Sequence, residues 1–128
     1  MAELLLIDTD VLIDFLRGQA DAVAYLEGLT EPLLMSVVTM AELYSGVREG
    51  NERKALDIFI TVFEFAPIDE GIARNGGLFR RDYRKSHNIG LADALIAATA
   101  EVRGATLVTL NRKHFPMLSR VIVPYKKT

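Results

Sequence analysis

The chain has 128 residues, 50% of them hydrophobic and 25% charged, with a net charge of −2 and no cysteine. That length suits one hydrophobic core that stands without staples, so a single domain over 1–128 is expected, and the lack of cysteine excludes disulfides and thiolate metal sites. No basic leader precedes the short apolar run near the start, and no segment approaches the roughly 20 apolar residues of a membrane span. A soluble, cytoplasmic protein with no membrane partner is the expectation.

Charge is unevenly spread. Residues 1–70 hold 4 Lys and Arg against 14 Asp and Glu, a balance of −10, and residues 71–128 hold 11 against 3, a balance of +8. Asymmetry of this size points either to an anionic partner for the second half or to attraction between the two halves.

In chain order, Leu4 to Ile7 is a short apolar run that predicts a strand covered on both faces. It stops at Asp8, and Val11 to Arg17 has helical spacing with Gly18 as a stop. Ala20 to Leu29 predicts a second helix, Leu33 to Val37 a strand, and Thr39 to Val47 a helix ended by Gly46 or Gly50. Arg53 to Phe63 is amphipathic, Phe63 to Ala66 a brief strand closed by Pro67, and Glu70 to about Lys85 a helix interrupted in composition by Gly76–Gly77. Leu91 to Val102 is apolar on nearly every face, as in a central helix, with Gly104 at its end. Thr106 to Leu110 and Val121 to Val123 complete the strands. Short apolar strands alternating with helices predict an α/β sandwich with a mostly parallel sheet, whose sites lie beyond the strands' carboxyl ends.

Three acidic residues stand in apolar surroundings: Asp8 after LLLI, Glu42 in VVTMAELY, and Asp93 in GLADALIAATA. Each has a plain structural explanation. Thr39 and Glu42 have capping-box spacing, Asp93 falls in a first helical turn, and Asp8 suits a turn or helix cap. Asp10 suits the N-cap of a helix starting near Val11, with Asp14 one turn on, facing solvent or the cleft rim. If the sheet instead brings Asp8, Glu42 and Asp93 together, like charges require a cation, and hard Mg²⁺ or Mn²⁺ is the economical one. No zinc-type His or Cys pattern is present. An oxygen-ligated, hydrated ion of this kind suits phosphodiester hydrolysis.

The blocks LLLIDTDVLIDFLRG, SVVTMAELYSGV, LADALIAATA and LVTLNRKHF, in that order, resemble the PIN-domain family, and more closely its VapC-type toxins. The resemblance covers essentially the whole chain. It implies a PIN-like three-layer sandwich and a Mg²⁺- or Mn²⁺-dependent endoribonuclease acting on RNA. It also implies a cognate antitoxin that covers the active site, and a homodimer or a larger assembly with that antitoxin. Asp8 and Asp93 match metal ligands, and Glu42 matches a residue that meets the ion directly or through water. Thr9 and Thr109 match hydroxyls that support them. The final block departs from the family pattern, with Asn111-Arg112-Lys113-His114-Phe115 where an acidic residue is usual. Asn111 keeps a carbonyl oxygen for the site, and His114 would sit near the scissile phosphate or pack at the surface.

Arg80, Arg81, Arg84 and Lys85, with Phe79 and Tyr83 among them, suit phosphate contacts and base stacking, as Arg112 does nearer the site. The alternative is a solvated helix face. Other functions open on sequence alone are an RNA-processing nuclease of this fold with no antitoxin, and a non-catalytic binding module whose acids serve as caps.

Overall fold

The apolar run near the start forms a strand buried on both sides, and the other elements are laid out around it. A computed structural model describes residues 3–126, so the outermost two positions at each end of the expected 1–128 unit lie outside the described residues. In order the elements are β1 (Leu5–Ile7), α1 (Thr9–Leu16), α2 (Ala20–Glu27), β2 (Leu33–Ser36), α3 (Val37–Ser45) and α4 (Asn51–Phe59). They continue with β3 (Glu64–Ala66), α5 (Glu70–His87), α6 (Leu91–Arg103), β4 (Thr106–Val108) and β5 (Val121–Ile122). Single 3₁₀ turns, Ile60–Val62 and Arg112–His114, precede β3 and β5.

Among the described residues the strands form one sheet in the order β3-β2-β1-β4-β5, parallel throughout. From β1 the chain winds first toward β2 and β3, then returns through α5 and α6 to lay β4 on the opposite side. Strand alternation divides the core. Leu5, Ile7, Met35 and Val108 face Val11, Leu12, Leu43, Leu56 and Phe63 in one layer. Leu6, Leu34, Ala66 and Leu107 face Ile96, Ala97, Ala100 and Phe115 in the other. Both faces are therefore covered, which is why the strands carry no polar alternation. The small residues of α6 let that helix lie close to the sheet.

Boundaries move where a side chain competes for a cap. Helix α1 starts at Thr9 rather than Val11, because Asp8 takes the N-cap and accepts from the Thr9 amide at 2.8 Å. Helix α3 starts at Val37, because the Ser36 hydroxyl accepts from Val38 N at 3.0 Å, leaving Thr39 buried inside the first turn. Helix α5 runs unbroken through its glycine pair to Asn88, whose φ of 53° ends it.

That glycine pair has two separate meanings. A Cβ on Gly76 would stand 2.6 Å from Leu95 Cδ2 and 3.2 Å from Leu95 Cα, whereas one on Gly77 would meet nothing within 4 Å. Gly76 is thus the point where α5 closes on α6, and Gly77 is exposed helix. Gly76→Ala is expected to destabilise the fold by about 1–3 kcal/mol through overpacking. Gly77→Ala is expected to stabilise it by roughly 0.5–1 kcal/mol through helix propensity. Urea unfolding of the two variants should give shifts of opposite sign.

Candidate active site

Where β1 ends between β2 and β4, the chain leaves the sheet in opposite directions, and a crevice opens beyond the strands' carboxyl ends. Asp8 stands there. Its backbone amide donates to the Val108 carbonyl at 2.9 Å, which fastens the end of β1 to β4. Its Oδ1 accepts from Thr9 N at 2.8 Å, and its Oδ2 accepts from the Thr109 hydroxyl at 2.7 Å. The residue is only 6% exposed. Burial, and then the neighbouring Asp10 charge, push its carboxyl up from 3.8 to about 7, with a smaller push from Asp93. The hydrogen bonds from Thr109 and Thr9 oppose that rise without cancelling it.

Asp93 comes to this edge in the first turn of α6, whose N-cap, Gly90, supplies no side chain. Its Oδ2 lies 3.0 Å from His114 Nδ1. Glu42 reaches the site from α3. Its Oε1 accepts from the Thr9 hydroxyl at 2.6 Å, and the Thr39 hydroxyl lies 3.0 Å from the same Thr9 oxygen. Glu42 is therefore not a capping-box residue, because Ser36 already holds that end of the helix. It stands across Thr9 from the Asp8–Asp93 pair.

Asp10 belongs to the same edge, but not as the cap of α1. Its Oδ1 accepts from Val11 N at 2.7 Å and its Oδ2 from Leu110 N at 3.1 Å, tying α1 to the segment after β4. Asp14, expected to face solvent or the cleft rim, is instead 4% exposed and accepts from the Tyr125 hydroxyl at 2.8 Å. Helical phase alone could not show this, since the element that covers Asp14 lies 111 residues along the chain. Asn111 sits beside Thr109, donating its amide to that hydroxyl at 3.1 Å, and its side chain reaches His114 Nδ1 at 3.0 Å. The sequence features that bear on these links are Asp8, Thr9 and Asp10 in succession after the first strand, and His114 in the last block.

The donor set can be tested against the expected ion. Among the described residues no three Asp, Glu, His or Cys groups are grouped closely enough to hold a metal ion by themselves. A Mg²⁺ or Mn²⁺ ion that keeps several waters needs only one or two carboxylates. Asp8 and Asp93, close enough to feel one another's charge, meet that requirement, and a cation would relieve the charge that burial penalises on Asp8. The residues fit a hydrated hard cation rather than one stripped of water.

The basic residues fall into two groups. On α5, Arg81 pairs with Asp82 at 2.8 Å, Arg80 is half-buried, and Arg84 and Lys85 are exposed. Tyr83 lies edge-on between Phe79 and His87, at centroid distances of 6.5 and 5.9 Å. The three-residue link Asn88–Gly90 turns α6 back along α5, and Gly76 meets Leu95. At 1.5 Å per residue, α5 therefore runs about 10 Å past the start of α6, on the side where Asp93 lies. Near β4, Arg112 donates to the Val121 carbonyl at 3.0 Å. Among the described residues, the ion pair that joins separate elements of the acidic and basic halves is Arg103–Glu64 at 2.7 Å. Attraction between the halves thus employs little of the basic charge.

The raised Asp8 carboxyl sets a pH dependence. Between about 4 and about 7 the folded, metal-free protein keeps a proton that the unfolded chain has lost, so its stability should fall as pH rises through that window and level off above it. Asp8→Asn should remove the slope and be more stable than wild type at pH 8, by on the order of 2–4 kcal/mol. Thermal unfolding from pH 4 to 8 in EDTA checks this. A variant that keeps the wild-type slope would refute it.

The PIN domain family model matches residues 5–120. Ribonuclease VapC10 of Mycobacterium tuberculosis is 45% identical over 125 residues, covering 95% of this chain and 93% of that protein. Ribonuclease VapC19 of the same organism is 43% identical over 124 residues, covering 94% and 98%. A chain in a toxin–antitoxin complex from Klebsiella pneumoniae superposes with a TM-score of 0.83 at 28% identity, covering 96% of this chain and 99% of that one. The family match runs from β1 to the residue before β5 and takes in every residue of the crevice described above: the chain belongs to the PIN-domain family, alongside its VapC members.

Proposed function

We propose that this protein is an endoribonuclease that hydrolyses RNA phosphodiester bonds with Mg²⁺ or Mn²⁺, and that it is the toxin of a toxin–antitoxin pair. The observation that carries the reading is the buried Asp8 carboxylate, its charge disfavoured by burial and by like charges, set opposite Asp93 at the switch point of the sheet. Asp8 and Asp93 are the residues that would hold the cation. Such an ion supplies Lewis acidity and positive charge beside the phosphate. Thr109 and the Thr9 amide fix the Asp8 oxygens, and the Thr9 hydroxyl, itself next to that of Thr39, holds Glu42. Held in that way, Glu42 is the residue placed to orient the attacking water and take its proton. Asn111 contributes an uncharged amide at the rim. The names of the relatives, ribonucleases and a toxin–antitoxin complex, support the same reading.

RNA would approach along the basic end of α5. Arg84 and Lys85 are exposed there, and the Tyr83 ring offers an edge between its aromatic neighbours. Phosphate contacts of this kind add affinity without sequence choice. The antitoxin would take a cleft of about 400 Å³ between α1, α3 and α4, lined by Ile13, Leu16, Leu43, Val47 and Leu56. Glu42 lines that cleft as well, so an antitoxin segment seated in it would reach the catalytic edge.

Cleavage of an RNA pool should vanish in EDTA and return with Mn²⁺. Asp8→Asn and Asp93→Asn should each lower kcat/KM by about 10²–10³-fold. Expression without antitoxin should arrest growth for wild type and not for Asp8→Asn. Equal growth and an unaltered RNA pool would count against the proposal. Arg84→Ala and Lys85→Ala should raise KM with kcat unchanged, and each should reduce the slope of log affinity against log salt by about 1.

A further inference from the structure

We infer that His114 is the positioning residue of Asp93, acting through Nδ1 as a hydrogen-bond donor that holds this carboxylate ready for the cation. The inference rests on the metal-dependent reading above.

The geometry is a closed chain of contacts between the two acidic residues. Thr109 donates to Asp8 Oδ2 at 2.7 Å, and Asn111 N donates to the Thr109 hydroxyl at 3.1 Å. Asn111 Nδ2 lies 3.0 Å from His114 Nδ1, which in turn lies 3.0 Å from Asp93 Oδ2. A nitrogen facing a carboxylate oxygen at that distance carries the hydrogen, and the Asn111 amide then meets it with its oxygen rather than its nitrogen. The carboxylate thus sets the hydrogen on Nδ1, and the Asn111 amide turns over to suit it. One Asp93 oxygen is occupied by the imidazole, and the other is left for a ligand.

Asp93 needs such a partner. It sits on a helix end that has no side-chain cap, its side chain is 32% exposed, and the Asp8 charge repels it. The imidazole comes from a segment that is itself well held. His114 closes the 3₁₀ turn after Asn111, with its amide donating to the Asn111 carbonyl at 3.0 Å. The next residue, Phe115, is 2% exposed and packed beneath α6. Phe115 anchors the turn, and the turn presents Nδ1 to Asp93. An acidic residue at this position would add another negative charge to a crevice that already has several, whereas the imidazole supplies a donor. Partners that orient a metal-binding carboxylate typically change metal affinity by about 10–100-fold when removed.

The test is Mn²⁺ titration of the purified chain by calorimetry without RNA, followed by cleavage assays across Mn²⁺ concentration. His114→Ala should weaken Mn²⁺ binding by about 10–100-fold, with little change in melting temperature because the ring is 35% exposed. Its kcat should recover toward wild type at saturating Mn²⁺. His114→Asn puts an amide nitrogen near the place of Nδ1 and should restore binding to within about threefold, while His114→Gln, which mimics Nε2, should behave like His114→Ala. Wild-type affinity in His114→Ala, or rescue by Gln and not by Asn, overturns the inference and leaves the nuclease reading intact. A wild-type chain that neither binds Mn²⁺ nor cleaves RNA overturns both.

Discussion

A carboxylate held out of water at the centre of a parallel sheet is the constraint on which this molecule turns. Asp8 follows a strand with neighbours on both sides, so it cannot swing toward solvent. Its oxygens are met by the amide of Thr9 and the hydroxyl of Thr109, and its own amide is bound to Val108. These bonds fix where the negative charge sits but do not make it comfortable, since burial and Asp10 still drive the carboxyl toward its neutral form. An unrelieved charge of this kind is a standing cost in stability, one that the proposed cation would lift.

The surrounding fold keeps that arrangement rigid. Three segments converge on the crevice: α1 with Asp8, Thr9 and Asp10, α3 with Thr39 and Glu42, and the stretch from Thr109 to His114. Each is backed by core packing. Val11 and Leu12 fix α1, Leu43 fixes α3, and Phe115 fixes the turn after β4. The fourth contributor, Asp93, stands on α6, which lies close to the sheet through its alanines and is clasped from outside by α5 at Gly76. Side chains set on packed elements and tied to one another by short hydroxyl bonds vary little in position, as a hydrated ion with few protein ligands requires.

The uneven charge follows the same architecture. The acidic half of the chain builds β1 to β3 and the helices around them, including most of the carboxylates of the crevice. The basic half builds α5, α6 and the segment after β4. Negative charge in the crevice and positive charge along its flank suit the proposed reaction, in which a phosphate backbone would be drawn to a site that otherwise repels it. The Arg103–Glu64 pair is a local brace on the far side and does not account for the asymmetry.

Much of this was legible in the residues alone. The alternation of short apolar runs with helical spacing determined the α/β class, because a strand covered on both faces can carry no polar alternation. Acidic residues at the edges of apolar segments singled out Asp8, Glu42 and Asp93 as candidates, because burying a carboxylate has few explanations; that argument holds for Asp8, which is buried, whereas Asp93 is half-buried and Glu42 exposed. The helix starts were less legible, since Ser36 and Asp8 competed with equally plausible caps at Thr39 and Asp10. Tertiary structure alone decided which of the acids meet. It set Asp93 beside His114 and placed Glu42 across Thr9, and it buried Asp14 under Tyr125. The physical reason is that local sequence governs φ and ψ and the spacing of apolar faces. The meeting of side chains 21 to 111 positions apart depends instead on strand order and on the packing of helices against the sheet.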